Sequence, residues 1–169
     1  MCKYEKICSI AYYQAQFSPC KNKHGCVITK GSKVYAVGYN NPRSTFLNKK
    51  DCSQHAEMAA VTSLINKYIR RNPRKYKAKN NKYDLSSFTI WCIRIPNDKS
   101  RLDNYELYDS GPCSICVKRL NEFGFKDIIY SNNEGVMVKD NIKTYNKVHI
   151  TSASYNRQLN KKKKTHIVI

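Results

Sequence analysis

The order of hydrophobic patterns along this chain predicts an α/β fold, a three-layer α/β/α sandwich built on a five-stranded mixed sheet. Three observations carry that expectation. Helical periodicity and short β-rich runs alternate over most of the sequence. Residues 26–30 and 33–39 flank Gly31-Ser32, a pair suited to the positive φ of a tight hairpin turn. Only Asn132, Asn133, Glu134 and Gly135 stand between the last two strand-like runs. A parallel connection needs about a dozen residues, so those two strands must pair antiparallel.

Each element has a local cause. Tyr4, Ile7, Ala11 and Ala15 fall on one face of a first helix, which stops at Ser18-Pro19 because proline bars continuation. The hairpin follows. A second helix opens at His55, with Ala56, Ala59, Ala60, Leu64 and Tyr68 at helical spacing, Asp51 and Ser53 as capping candidates before it, and Pro73 ending it. Residues 88–94 form an apolar third strand in which Cys92 reads as a small core residue. A polar segment, 96–111, then leads into a third helix begun at Pro112 and ended by Gly124. Residues 127–131 and 136–139 supply the fourth and fifth strands.

A chain of 169 residues with 41% hydrophobic content suits one domain, placed at residues 1–155, followed by a basic, mobile tail at 156–169. No long apolar run suggests a membrane span, and the first residues lack the apolar segment of a secretory signal, so an intracellular, cytoplasmic protein is expected. Lys161 to Lys164 would also serve as a nuclear address. The net charge of +19 favours phosphate-bearing partners, a nucleotide or a polynucleotide, although abundant Lys, Asn, Ile and Tyr are also what an A/T-rich genome would supply. The cluster from Arg70 to Lys79, with Tyr76 among the cations, reads as a nucleic-acid patch or, preferentially, as a solvated connecting loop.

The chemistry is concentrated in two motifs. Pro112-Cys113-Ser114-Ile115-Cys116 puts two thiols one turn apart at a helix N-terminus, where orphan N–H groups and the helix dipole favour thiolate, the form that binds zinc. His55 supplies a third ligand. Glu57, two residues on, points about half a turn away and so addresses water rather than metal. Three protein ligands leave zinc a fourth position for water, whose pKa falls to about 7; Glu57 would shuttle protons as general acid and base. A Cys-x-x-Cys alone also occurs as a redox pair or as half of a structural Cys₄ site, but the second Cys-x-x-Cys that the latter requires is absent from the sequence. One catalytic zinc per chain is therefore expected. Cys2, Cys8, Cys20, His24 and Cys26 crowd the N-terminal region, where free thiols are expected rather than a second, structural zinc.

His55-Ala56-Glu57, the Pro-Cys-x-x-Cys segment and the hairpin ending Gly38-Tyr39-Asn40 together resemble the cytidine and deoxycytidylate deaminase superfamily of zinc-dependent nucleobase deaminases, from about Ala11 to about Ser131. The resemblance implies the cytidine deaminase-like form of the sandwich, with both ligand-bearing helices on one sheet face. It implies hydrolytic removal of ammonia from a cytosine-containing nucleotide or nucleoside (CMP, dCMP, cytidine or deoxycytidine), with a monophosphate favoured by the basic surface. Substrate contacts would come from Asn40, on the sugar, and Ala56; Tyr105, Leu107 and Tyr108 would either enclose the base or pack the loop down. A homo-oligomer, dimer or larger, is expected.

The branch within the superfamily is mixed. An antiparallel last strand resembles the branch acting on free nucleosides, which usually carries Cys at the position of His55. Deoxycytidylate deaminases share the His but commonly have Asn where Ala59 stands. Two alternatives accompany this reading. One is a deaminase acting on a base within tRNA, other RNA or single-stranded DNA; the other is a non-catalytic protein that keeps zinc for structure, which would need a fourth ligand such as Cys52.

Overall fold

The structure, a computed structural model, describes residues 3–42, 45–46, 49–50, 54–71, 76, 83–97 and 106–146. In helix α1 (Lys3–Gln16), Ile7, Ala11, Tyr12 and Ala15 form the buried stripe. Tyr4, expected within that stripe, lies at its exposed rim, where its ring meets Trp91 edge-on with centroids 5.2 Å apart. The helix closes with bonds from the Phe17 N–H to the Gln14 carbonyl and from the Ser18 N–H to the Ala15 carbonyl, just ahead of Pro19.

Five strands make the main sheet: β1 (Lys23–Lys30), β2 (Lys33–Tyr39), β3 (Thr89–Ile95), β4 (Asp127–Ser131) and β5 (Met137–Asn141). Their spatial order is β2-β1-β3-β4-β5. β1 runs antiparallel to β2 and β3, β3 parallel to β4, and β5 antiparallel to β4, as the short connection requires. β1 starts three residues before the sequence expectation because pairing with β3 continues as far as Lys23 opposite Ile95. A separate two-residue ladder joins Thr45–Phe46 to Lys49–Lys50.

Strand alternation sorts the core into two layers. Cys26, Ile28, Ile90, Cys92, Ile128 and Tyr130 face α2 (Ala56–Leu64) and α3 (Ser114–Glu122), whereas Val27, Trp91, Ile93 and Ile129 face α1. The result is the expected α/β/α sandwich. The Trp91 indole N–H is satisfied within it by the Thr29 hydroxyl at 3.0 Å.

Two glycines set how closely the helices approach. A Cβ on Gly25 would lie 1.9 Å from the Ala11 carbonyl oxygen, and one on Gly38 would lie 2.4 Å from the Ala60 nitrogen. No other residue fits at either crossing. α2 is buried on several sides, through Ala56, Met58, Ala60, Val61 and Leu64, so its sequence shows less amphipathic contrast than a surface helix would. It continues as a π-helical turn, Ile65–Ile69, closed by the Arg70 N–H on the Ile65 carbonyl at 3.0 Å. Pro73, expected to end this helix, lies outside the described residues, as do residues 156–169. Among the described residues no helix is long and apolar enough to cross a membrane.

Candidate metal centre and active site

Both ligand-bearing segments reach the centre as helix N-caps. His55 caps α2 with φ −70° and ψ 156°, and Cys113 caps α3 with φ −72° and ψ 161°. Each is extended, and its carbonyl accepts the first helical bond, from Ala59 N–H and Val117 N–H respectively, both at 2.9 Å. This corrects two local expectations. Pro112 lies outside α3 rather than at its first position, because Cys113 is still extended. The cap of α2 is His55 itself, with Asp51 and Ser53 outside the described residues.

Hydrogen bonds hold the two caps in place. Gln54, just before His55, pairs with Asn41 through reciprocal backbone bonds of 3.0 Å, which anchors the start of α2 to the chain leaving β2. Gly38, two residues upstream of Asn40, lies against the first turn of α2. On the other side, Ser110 bridges β3 and β4. Its N–H donates to the Ser131 carbonyl at 2.8 Å, its hydroxyl to the Cys92 carbonyl at 2.8 Å, and it accepts the Ser131 N–H at 2.9 Å. Pro112 and Cys113 follow from this anchor. Gln54, Ser110 and Ser131 were missed at the level of sequence, where isolated polar residues carry no periodic signal.

The structure brings His55, Cys113 and Cys116 together. Their ligand atoms all lie within 4.8 Å of one another, with the imidazole Nδ1 3.4 Å from Cys113 Sγ and 3.2 Å from Cys116 Sγ. Tetrahedral zinc with ordinary bond lengths would place sulfur and nitrogen about 3.5 Å apart, so the two nitrogen–sulfur separations suit one zinc ion. No further Cys, His or carboxylate joins the cluster among the described residues, and Cys52 lies outside them.

The protonation states suit a metal ligand pair. The Cys116 thiol hydrogen-bonds Cys113, which with help from His55 holds Cys113 down to about 4, while the same bond and burial push Cys116 well above the ordinary thiol range. Glu57 sits in the first turn of α2, 7% exposed. Burial pushes its carboxyl above the usual range, with the His55 charge opposing.

Other nominated residues fall as follows. Ala56 is the first helical residue of α2, its methyl in the core. Asn40 sends its side chain into the β1 end, accepting the His24 N–H at 2.7 Å and donating to the Asn22 carbonyl at 2.7 Å. Leu107 packs against the α1-side core, and the Tyr108 N–H bonds the Arg94 carbonyl at 2.9 Å, so these two secure the loop; Tyr105 lies outside the described residues. Tyr76 is a core residue, 7% exposed and packed on Phe88, not an exposed aromatic platform. Cys26 faces Cys92 across the sheet, the Cys20 thiol approaches the Asn40 carbonyl at 3.7 Å, and the His24 ring meets the Asn22 carbonyl at 3.2 Å.

Against this geometry, the family model described as "Cytidine and deoxycytidylate deaminase zinc-binding region" matches residues 1–132. The chain belongs to the cytidine and deoxycytidylate deaminase family. It is therefore a zinc-dependent hydrolytic deaminase acting on cytosine compounds, with both site motifs inside the matched region. The cytidine deaminase of Burkholderia pseudomallei shares the fold at a TM-score of 0.56, with 15% identity over 86% of this chain and 98% of that one. A mutant cytidine deaminase of Mycobacterium tuberculosis gives a TM-score of 0.50, with 12% identity over 87% and 98%. A dCMP deaminase from the cyanophage S-TIM5 is similar at 22% identity over 76% and 82%, with a TM-score of 0.47. No curated protein sequence matches the chain.

Proposed function

We propose that this deaminase converts a free cytosine nucleotide or nucleoside to its uracil form, with a nucleoside monophosphate as the preferred substrate. The observation that carries the reading is the joining of His55, Cys113 and Cys116 beside a buried Glu57 carboxyl. His55, Cys113 and Cys116 would hold zinc, which when bound lowers the pKa of a water and makes it nucleophilic near neutral pH.

The chain's own residues do the rest. Glu57 takes a proton from the attacking water and delivers it to the ring nitrogen next to the reacting carbon; a second proton relayed by the same carboxyl reaches the amino group as it departs. The atoms balance: water adds across the carbon–nitrogen bond and ammonia leaves. Burial suits Glu57 to this exchange, since a desolvated carboxylate accepts a proton readily and the protonated form is a competent donor. The Ala56 N–H, a first-turn donor with no acceptor within the helix, is available to a ring carbonyl. Asn40, whose amide is held by the His24 N–H and the Asn22 carbonyl, would meet the sugar with its remaining amide hydrogen.

The polynucleotide reading draws less support, because Tyr76 is buried in the core rather than exposed for a base to stack on. The domain spans residues 1–155 in this reading, with 156–169 as a basic tail; Ile142 and Tyr145, packed on the core, support a boundary beyond them. We read the assembly as a homo-oligomer, dimer or larger, on the family resemblance. Measuring ammonia release from cytidine, CMP, deoxycytidine, dCMP and an RNA oligonucleotide tests the proposal. Turnover of a free cytosine compound is expected, and turnover of the oligonucleotide alone would overturn it.

A further inference from the structure

Arg94 occupies an unusual position in the sheet. Ile90, Cys92 and Arg94 alternate onto the face covered by α2 and α3, while Trp91, Ile93 and Ile95 face α1. Across the strands, Gly38, Cys26 and Cys92 form one row, which lies beneath the first turn of α2. The next row, about 6.6 Å further toward the strand ends, is Asn40, His24 and Arg94. Arg94 pairs with His24 in the register, and the Asn40 N–H bonds the His24 carbonyl at 3.2 Å. The reacting centre therefore sits over the first row, with Arg94 and Asn40 in the row beyond it.

The guanidinium is held by neutral groups. One Nη donates to Asn22 Oδ1 at 2.8 Å, and its plane lies over the Tyr108 ring with the carbon 5.6 Å from the centroid. Asn22 in turn accepts from Asn40 through its carbonyl, so Arg94 and Asn40 are linked by a single residue. Among the described residues no carboxylate pairs with Arg94, and its Nε is buried without a partner. A cation fixed in orientation by an amide and an aromatic ring keeps its charge for a ligand, and the fork of an arginine matches phosphate oxygens.

We propose that Arg94, steadied by Asn22 and Tyr108, selects a phosphorylated substrate by binding the 5′-phosphate of a cytosine nucleoside monophosphate. This rests on the free-nucleotide reading above. Base over the metal, sugar beside Asn40 and phosphate at Arg94 then follow one another along the sheet end, in the order in which a nucleotide presents them.

The test compares kcat/KM for dCMP and deoxycytidine in the wild type, Arg94→Gln and Arg94→Lys, with zinc content and melting temperature measured alongside. The wild type is expected to favour dCMP and to be inhibited competitively by inorganic phosphate. Arg94→Gln should lower the dCMP-to-deoxycytidine ratio by about 100-fold, chiefly through KM for dCMP, as expected for loss of charged hydrogen bonds. Arg94→Lys, which keeps the charge without the fork, should fall between the two. The Arg94 backbone bond to Tyr108 survives either substitution, so the loop stays anchored. A ratio unchanged in both variants, or equal losses on both substrates, overturns the assignment while leaving the deaminase reading intact. A wild type that turns over none of dCMP, CMP, deoxycytidine and cytidine overturns the free-substrate reading itself, and Arg94's role with it; turnover of the ribose pair alone moves the same comparison to CMP and cytidine.

Discussion

Gly38 shows how one atom's worth of space positions the chemistry. Its absent side chain lets β2 touch the first turn of α2, with the Ala56 carbonyl oxygen 2.9 Å from where a Cβ would be. Gly38→Ala must push backbone against backbone, which no rotamer relieves; a loss of about 1–3 kcal/mol in stability is expected, with a matching fall in activity as His55 and Glu57 move with the helix. Thermal unfolding and turnover measured together check this. Ser110 is the corresponding device on the α3 side. Ser110→Ala removes the acceptor of the buried Ser131 N–H and the donor to the Cys92 carbonyl, so denaturant unfolding should show a loss of about 1–3 kcal/mol. His55, Glu57, Cys113 and Cys116 were legible in the sequence because their chemistry is rare and their spacing specific. Ser110, Ser131 and Gln54 were not, since a buried hydroxyl or amide has meaning only against a partner far along the chain.

At the scale of elements, two helix N-termini converge on one point and no covalent link joins them. His55 and Cys113 are 58 residues apart yet close to 3.4 Å between side-chain atoms. A zinc ion gripped by both caps would hold α2 to α3 and should stabilise the native state by mass action. Removing metal with a strong chelator is expected to lower the melting temperature and speed amide exchange in the first turns of both helices. Restoring one equivalent of zinc should reverse both. The five strands of the main sheet were read from sequence, including the antiparallel β4 and β5, because a four-residue connection leaves no other pairing; the short ladder of 45–46 with 49–50 was not. The helix starts were displaced. Pro112 reads as the first residue of its helix and Asp51 and Ser53 as caps, but Cys113 and His55 themselves take the cap positions.

At the scale of the whole molecule, the sequence disclosed the sandwich but not which cations matter. A net charge of +19 steers anions at long range, whereas Arg94 becomes distinct only when the sheet register sets it in a row with His24 and Asn40. Steering by surface charge is screened by salt over about 10 Å at 0.1 M. KM for a nucleotide substrate should therefore rise steeply with ionic strength, and KM for the corresponding nucleoside should change little. Steady-state kinetics across a salt series checks the difference. The measurement that bears most directly on the central claim pairs metal analysis with turnover in the wild type and in Glu57→Gln. The account predicts about one zinc per chain in both proteins, and a fall of about 10³-fold in kcat for the variant. A variant that keeps its activity, or a wild type that binds no zinc, would contradict it.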